Sequence, residues 1–201
     1  MKKLKIGIDI DNVIADTTVS YLSEFNAHFG TSIKFEEVTD FYHIETIFSK
    51  SKAQVDKFLE SKLHRDEFMI RVPPILPASD FIQIWLKKGM SVYYISARPK
   101  NIQKVTKKWL VKHGFWWEGA KLYTFDTDKN YTDIEYKTGI AKFEKLDIFI
   151  EDKKDIAEAM DIPVALLDRP WNSGALPRHV KRVYSWEEIN KFIDDISSLS
   201  R

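Results

Sequence analysis

Two carboxylates at alternate positions end the first apolar segment of the chain. Asp9 and Asp11 close the apolar run that starts at residue 4, and the turn-forming Asn12 follows at once. Both side chains share one face of a regular strand, whereas a bend after Asp9 would separate them. Carboxylates this close attract a hard cation, because their repulsion otherwise raises the pKa of one of them. The pair predicts a divalent-cation site; the alternative is a capping or turn role after a buried strand.

A second acidic pair, Glu151 and Asp152, follows another apolar run at 146–150. Taken alone, this pair could cap the helix that comes next. In an open α/β sheet, however, the carboxyl ends of the strands form one ligand crevice. At the same sheet edge as Asp9 and Asp11, the second pair would supply the further oxygen ligands that Mg2+ requires. The two pairs together therefore predict a magnesium site.

Polar groups also follow the other predicted elements. Ser96 and Arg98 come just after the apolar run 91–95, and Lys137 opens the helix before the second acidic strand. Each of these could instead be a turn hydroxyl or a solvated cation. Four carboxylates in the two acidic pairs face only two of these cations, so a bound divalent ion would balance the charge of the site.

Alternating strands and helices are expected to position these groups. Runs rich in β-branched and aromatic residues predict strands at 4–10, 91–95, 122–125, 146–150 and 164–167. Helical periodicity predicts helices at 79–88, 101–113, 138–145, 154–160 and 186–197. Several strands are apolar on successive residues, which is typical of parallel sheets covered on both faces. The pattern predicts an α/β fold with an open parallel sheet.

One interval is too long for a simple strand–helix–strand unit. Eighty residues separate position 10 from position 91, whereas such a unit needs only about 30. Apolar residues at helical spacing predict two helices inside the excess, at 17–29 and 53–64. The prolines of segment 72–77 oppose helix continuation. We therefore expect an α/β core formed by 1–15 and 73–201, and a helical insertion at 16–72.

The composition excludes several classes of function. The 201 residues are 44% hydrophobic and 13% aromatic, which is too apolar for a disordered chain. A net charge of +1 argues against a general nucleic-acid or anionic-membrane surface. The absence of cysteine excludes disulfides and thiolate chemistry. Acids interrupt the first apolar run, and no run approaches the ~20 residues of a membrane span. A cytoplasmic protein without membrane or nucleic-acid partners is expected.

The ordered set of motifs resembles the haloacid dehalogenase (HAD) superfamily of aspartyl phosphotransferases. Its four motifs are similar to Asp9-Ile-Asp11-Asn-Val, Tyr94-Ile-Ser96, Lys137 and Glu151-Asp152, which together span residues 9–152. The resemblance implies a Rossmann-like core with a parallel sheet and helices on both faces, plus a small helical cap inserted after the first strand. Two departures leave the subfamily open: Asn12 stands where a glycine is frequent, and Glu151 stands where an aspartate is usual. Lys142 lies near Lys137, but Lys137 fits the helix-opening position of the third motif better.

The same resemblance implies a role for each site residue. Asp9 would attack phosphorus, and Asp11 would act as acid and then as base. Mg2+ would be held by the Asp9 carboxylate, the Asp11 carbonyl and Asp152, while the contribution of Glu151 stays open. Phosphoryl oxygens would be bound by Ser96, Lys137 and main-chain N–H groups near Asn12 and Ala97. Arg98 is a further candidate for substrate contact.

A finer resemblance is to the 5'(3')-deoxyribonucleotidases and their bacterial relatives. It rests on segments 72–78, 95–99 and 167–172, the last reading Leu-Asp-Arg-Pro-Trp-Asn. It implies a small phosphorylated substrate, with deoxyribonucleoside monophosphates favoured. Phe41 and Tyr42 could stack on a nucleobase or form the core of the cap. Alternatives are a sugar-phosphate phosphatase, a signalling receiver domain and a non-catalytic binding protein, and a homo-oligomer is an open option.

Overall fold

A six-stranded parallel sheet forms the centre of the protein, with strand order β3-β2-β1-β4-β5-β6. The computed structural model describes residues 3–40, 43–126 and 130–199. The strands are β1 (Lys5–Ile8), β2 (Ser91–Pro99), β3 (Lys121–Phe125), β4 (Ile148–Glu151), β5 (Val164–Leu167) and β6 (Val180–Val183). From β1 the chain builds outward to β3, then returns to place β4 on the other side of β1. The predicted open parallel α/β sheet is confirmed.

Helices cover both faces of the sheet. The core helices are α5 (Ala78–Lys87), α6 (Gln103–Lys112), α7 (Asp133–Glu144), α8 (Lys154–Ala159) and α9 (Trp186–Leu199). Buried side chains of α5, α6 and α9 pack on one face, and those of α7 and α8 pack on the other. Gly7 in β1 permits this close packing, because a Cβ there would lie 2.5 Å from Phe149 Cδ2.

The insertion is helical, as expected, but it is built from shorter pieces. It contains α1 (Thr17–Phe29), α2 (Ile44–Ile47), α3 (Lys52–Phe58) and α4 (Asp66–Met69), with a 3-10 turn at Phe35–Glu37. The predicted helix 53–64 is present: α3 continues without a break into a π-helical turn at Leu59–Leu63. Phe25 of α1 anchors the small core, with ring centroids 5.0 Å from Phe48 and 5.3 Å from Phe58.

Two antiparallel segments connect the insertion to the sheet. The Asp16 N–H donates to the Pro73 carbonyl (2.9 Å), and the Ile75 N–H donates to the Ile14 carbonyl (2.8 Å). The chain thus leaves and re-enters the core at one place, beside the carboxyl end of β1. The division into 1–15 with 73–201 and 16–72 stays a prediction.

Several strand and helix ends differ from those expected. β1 ends at Ile8, and the chain then turns, because the N–H groups of Ile14 and Ala15 both donate to the Ile10 carbonyl. β2 continues to Pro99 through an irregularity after Ser96, so Ser96 and Arg98 lie within the strand. α7 begins at Asp133, which places Lys137 in its second turn instead of its first.

The strand β6 lies at the sheet edge and was not predicted. It has only four residues, and Lys181 and Arg182 interrupt its apolar pattern. Edge strands are often short and charged, and four residues with two charges give little periodic signal. Within the described ranges, the helices are too short or too polar to cross a bilayer.

Candidate active site

The carboxyl ends of β1, β2 and β4 border a cavity of about 310 Å3. The strand order reverses between β1 and β4, and open α/β sheets bind ligands at such a switch point. Charged groups form the core side of the cavity: Asp9, Asp11, Arg98, Lys137, Asp152 and Lys153. The insertion supplies the opposite wall, which includes Tyr21 and Phe25. The topology therefore brings together the acids and cations of motifs far apart in the chain.

Asp9 is buried beside a buried cation. Only 4% of its surface is exposed, and Lys137 Nζ lies 3.0 Å from Asp9 Oδ1. This oxygen nevertheless accepts no well-directed hydrogen bond within the described part of the chain. Burial raises the pKa of Asp9 to about 7; Lys137 opposes the rise, and the nearby Glu151 and Asp11 add to it. An additional positive charge near Asp9 would hold its carboxylate ionised.

Glu151 orients Lys137 and the strand end that follows it. Its Oε2 accepts from Lys137 Nζ at 2.8 Å, and its Oε1 accepts the N–H groups of Asp152 and Lys153, both at 3.1 Å. Lys137 therefore lies between the carboxylates of Asp9 and Glu151. The alternative lysine, Lys142, is exposed on α7, so Lys137 is the one that meets the acids.

The carboxylate of Asp152 completes a cluster with Asp9 and Glu151. These three buried residues offer oxygen atoms within 4.8 Å of one another. Burial raises the pKa of Asp152 well above its usual value, and Glu151 and Asp9 raise it further. The donors are all hard oxygens, and among the residues that the structure describes Asp9 Oδ1 has no directed hydrogen-bond donor. The cluster therefore fits a hard divalent cation such as Mg2+.

Asp11 turns away from this cluster and pairs with Arg98. Arg98 Nε lies 2.9 Å from Asp11 Oδ2, and Arg98 Nη2 lies 2.8 Å from Asp11 Oδ1. Thr17 donates to the same carboxylate at 2.5 Å, and Ser96 does so at 3.4 Å. Burial alone would raise the pKa of Asp11, but Arg98 outweighs it and the pKa is lowered. The bend after Asp9 thus separates the two aspartates into different environments.

Asn12 occupies the tight turn after the acids. Its φ of 60° lies in the left-handed region, where asparagine is a tolerated substitute for glycine. Its N–H donates to the Ala15 carbonyl (2.7 Å), and its side-chain oxygen accepts the Thr18 N–H (2.9 Å). Its amide nitrogen lies 3.4 Å from Asp152 Oδ2. The side chain thereby links the first loop to the second acidic pair, which explains why asparagine suits this position.

The remaining predicted residues have different placements. Ala97 lines the cavity. Phe41 and Tyr42 lie outside the described residues, and the neighbouring His43 is exposed and pairs with Asp40. Tyr21 and Phe25 line the cavity but were not predicted as site residues. Their four-residue spacing on α1 places them on one helix face, which is the signal that could have found them.

The segment after β5 also reaches the site. Arg169 donates from Nη2 to the Asn12 carbonyl (2.6 Å), and Trp171 Nε1 donates to Asp152 Oδ2 (3.0 Å). This segment is one of those that carry the resemblance to the deoxyribonucleotidases, but the sequence does not indicate these contacts. A tryptophan in a proline turn has no local feature that identifies a distant carboxylate as its partner.

Similar proteins were found by both sequence and structure. The model of the LNS2 domain of PITM 1-3 matches residues 47–159, more than half of the chain. A candidate nucleotidase of Halalkalibacterium halodurans is 26% identical over 198 residues, covering 96% of this chain and 94% of its own. A nucleotidase of Clostridium acetobutylicum is 25% identical over 201 residues, covering 96% of this chain and 95% of its own.

Solved structures share the fold at low sequence identity. A predicted phosphatase from Clostridium acetobutylicum superposes with a TM-score of 0.68 at 12% identity, covering 97% of this chain and all of that one. A haloacid dehalogenase-like hydrolase from Streptococcus pneumoniae gives a TM-score of 0.67 at 14% identity, covering 94% of this chain and 98% of that one. A HAD-hydrolase candidate from Bacillus subtilis, solved with magnesium bound, gives 0.62 at 14% identity, covering 96% of this chain and all of that one. The chain belongs to the family of the PITM 1-3 LNS2 domain, and its haloacid dehalogenase fold and motifs resemble those of the bacterial nucleotidases.

Proposed function

We propose that this protein is a magnesium-dependent phosphomonoesterase that acts through an aspartyl phosphate on Asp9. One observation carries the proposal: buried Asp9 lies beside Lys137 and the acidic strand end of β4, at the floor of a cavity. A nucleophile, a cation for phosphoryl oxygens and a set of metal ligands thus meet at one place.

Magnesium would be held by the carboxylates of Asp9 and Asp152 and by the main-chain carbonyl of Asp11. When bound, it would shield the phosphate dianion from the negative charge of its attacker. Glu151 supports this site indirectly, since both of its oxygens accept hydrogen bonds from Lys137 and the main chain.

In the first half-reaction, an Asp9 carboxylate oxygen forms a bond to phosphorus while the phosphorus–oxygen ester bond breaks. Asp11 donates a proton to the leaving alkoxide. Lys137 and Ser96 bind phosphoryl oxygens, which positions the phosphorus in front of Asp9. Because Arg98 favours the ionised form of Asp11, the proton on Asp11 requires that substrate loosen the Arg98 contact.

In the second half-reaction, Asp11 accepts a proton from water as the water oxygen attacks phosphorus. The acyl-phosphate bond breaks, which restores the Asp9 carboxylate and releases phosphate. The Arg98 pair suits this step, since an ionised Asp11 can take up the proton. The net reaction converts a phosphomonoester and water into an alcohol and inorganic phosphate.

The cavity wall contributed by the insertion favours a nucleoside monophosphate. Tyr21 presents an aromatic ring at this wall, and the buried Phe25 behind it adds apolar surface together with Val55 and Leu59. Base stacking on such rings is worth about 1–3 kcal/mol. Lys52 and Asp56 lie at the same wall and offer polar groups to the edge of a base. Deoxyribonucleoside monophosphates are the favoured members of this class by resemblance.

Phosphate release from a panel of substrates tests this function. The panel contains ribo- and deoxyribonucleoside monophosphates and sugar phosphates, each with Mg2+ and with a chelator. Asp9→Asn removes the nucleophile, whereas Asp161→Asn makes the same change at an exposed site before β5. We expect chelator-sensitive release led by deoxynucleotides, a loss of at least about 10^3-fold in Asp9→Asn, and wild-type release in the control.

Each other result identifies the part of the proposal that is wrong. Release led by a sugar phosphate would retain the reaction and reject the nucleotide substrate. Equal activity in Asp9→Asn would reject the nucleophile. No release from any substrate would favour a binding protein on this fold.

A further inference from the structure

The turn formed by residues 168–172, between β5 and β6, is tightly held. Asn172 is fully buried, and its Nδ2 donates to the Leu167 carbonyl (2.8 Å) and the Asp152 carbonyl (2.7 Å). Its Oδ1 accepts Arg182 Nη1 from β6 at 2.5 Å. Both the nitrogen and the oxygen of this buried amide therefore have hydrogen-bond partners. The amide joins the turn to the segment that follows β4.

Trp171 extends from this turn to the side chain of Asp152. The indole Nε1–H donates to Asp152 Oδ2 at 3.0 Å, and Asn12 Nδ2 lies 3.4 Å from the same oxygen. Two donors on one oxygen restrict the rotation of a carboxylate. Asp152 is 1% exposed, so no bulk water competes for this orientation.

The opposite side of the same indole contacts the insertion. The ring of Phe35 meets Trp171 edge-to-face, with centroids 5.5 Å apart and planes at 71°. Phe35 lies in the 3-10 turn Phe35–Glu37 of the insertion. One side chain thus contacts both the insertion and a carboxylate of the core.

Arg169, in the same turn, contacts the loop after β1 that would supply the other metal ligands. Its Nε and Nη2 donate to the Asn12 carbonyl at 3.1 and 2.6 Å. Asn12 directly follows Asp11, whose own carbonyl is one expected ligand. The 168–172 turn is therefore in contact with both loops that would surround the metal.

We propose that the 168–172 turn positions the cation site. Trp171 orients the Asp152 carboxylate, and its contact with Phe35 makes this orientation depend on the position of the insertion. This inference rests on the proposed magnesium site. Residues that hydrogen-bond to metal ligands typically change metal affinity by 10–100-fold when they are replaced. Trp171 is a positioning residue in this scheme, since it acts through Asp152.

Direct binding of Mn2+ to the full chain tests the inference without an activity assay. The free ion is measured by electron paramagnetic resonance at increasing protein concentration. Trp171→Phe removes the indole N–H and keeps a ring beside Phe35. Trp116→Phe is the matched control, since Trp116 is half-buried and precedes β3 at the opposite, amino-terminal edge of the sheet. Thermal unfolding without metal verifies that each variant folds.

We expect Trp171→Phe to bind Mn2+ about 10-fold more weakly and Trp116→Phe to match wild type. Phe35→Leu keeps the N–H and removes the ring contact, so its affinity is expected between those of wild type and Trp171→Phe. Unchanged affinity in folded Trp171→Phe would overturn the inference while leaving the metal site intact. Unchanged affinity in Phe35→Leu would overturn its link to the insertion. Absence of binding by wild type would overturn both the inference and the proposed metal site.

Discussion

Arg98 and Asp11, which are 87 positions apart in the chain, form a bidentate ion pair at the edge of the cavity. Arg98 Nε lies 2.9 Å from Asp11 Oδ2, and Arg98 Nη2 lies 2.8 Å from Asp11 Oδ1. The side chain of Arg98 is 3% exposed, and that of Asp11 is 23% exposed. An arginine so deeply buried has its charge balanced here by one carboxylate. The pair therefore matters both for stability and for the protonation of the proposed acid and base.

Arg98→Met is expected to lower the free energy of unfolding at neutral pH by about 3 kcal/mol, because it leaves the charge of Asp11 without its partner. The lowered pKa of Asp11 in wild type stabilises the fold above the unfolded-state pKa, and this stabilisation is lost as pH falls through the folded-state pKa. Without Arg98, this pH-dependent stabilisation is largely lost. Urea denaturation at about pH 3 and about pH 6 should show the larger loss at the higher pH, because the unfolded-state pKa is 3.8.

The double variant Arg98→Met/Asp11→Asn is the control for this effect. It removes both charges, so most of the loss at the higher pH should be recovered. An equal loss in the single and double variants would show that Arg98 acts by packing instead of charge.

Asp9→Asn is expected to stabilise the metal-free protein, and more so at high pH. Burial raises the pKa of Asp9 from 3.8 to about 7, so only the folded state holds this proton between those values. The free energy of unfolding therefore falls as pH rises across that window, and asparagine removes this dependence. Thermal unfolding in a chelator should show a larger gain in Tm at about pH 8 than at about pH 5. The same gain at both pH values would contradict the raised pKa.

Lys137→Met is expected to destabilise the protein by about 3–5 kcal/mol, because it leaves the buried carboxylates of Asp9 and Glu151 without their cation. Lys142→Met is the matched control, since this lysine is exposed on the same helix and should change stability by less than about 0.5 kcal/mol. Denaturant titration at neutral pH measures both. Similar losses in the two variants would refute the assignment of Lys137 as the site lysine.

Tyr21→Leu is expected to raise the KM for nucleoside monophosphates by about 5–150-fold, since stacking on an aromatic ring contributes about 1–3 kcal/mol. Deoxyribose 5-phosphate has no base, so its KM should be unchanged. Steady-state phosphate release on both substrates makes the comparison within one variant. A parallel rise for both substrates would indicate damage to the cavity instead of loss of stacking.

Much of the site could be predicted because its chemistry is local in the chain. An apolar run followed by acids is both a buried strand and a charged strand end, as at Asp9 and Glu151. Parallel strands then place those ends at one edge without further information. Strand ends near 125 and 167 were likewise readable from apolar runs bounded by polar residues, whereas β2 runs past its predicted end at 95 to Pro99. The insertion was predicted from the excess length together with the helical spacing inside it and the prolines that follow it.

The partners of each charged group were decided by the tertiary structure. Asp9 and Asp11 are two positions apart, yet the turn after Ile8 directs one to Lys137 and the other to Arg98. The sequence pattern did not locate the ends of β1 and β2, and a shift of one residue sends a side chain to the opposite face. The extension of β2 and the second-turn position of Lys137 were likewise decided by where the folded elements begin and end.

The contacts of Trp171 show most clearly which contacts the local sequence cannot predict. Its N–H meets Asp152, and its ring meets Phe35, more than a hundred positions away. Local sequence indicates only a proline turn there, because a hydrogen bond depends on distance and direction between groups that the chain itself does not bring together. Residue types and their order thus predict the sheet, the insertion and the acidic motifs. The folded packing alone assigns each carboxylate its partner, and with it the direction of its pKa shift.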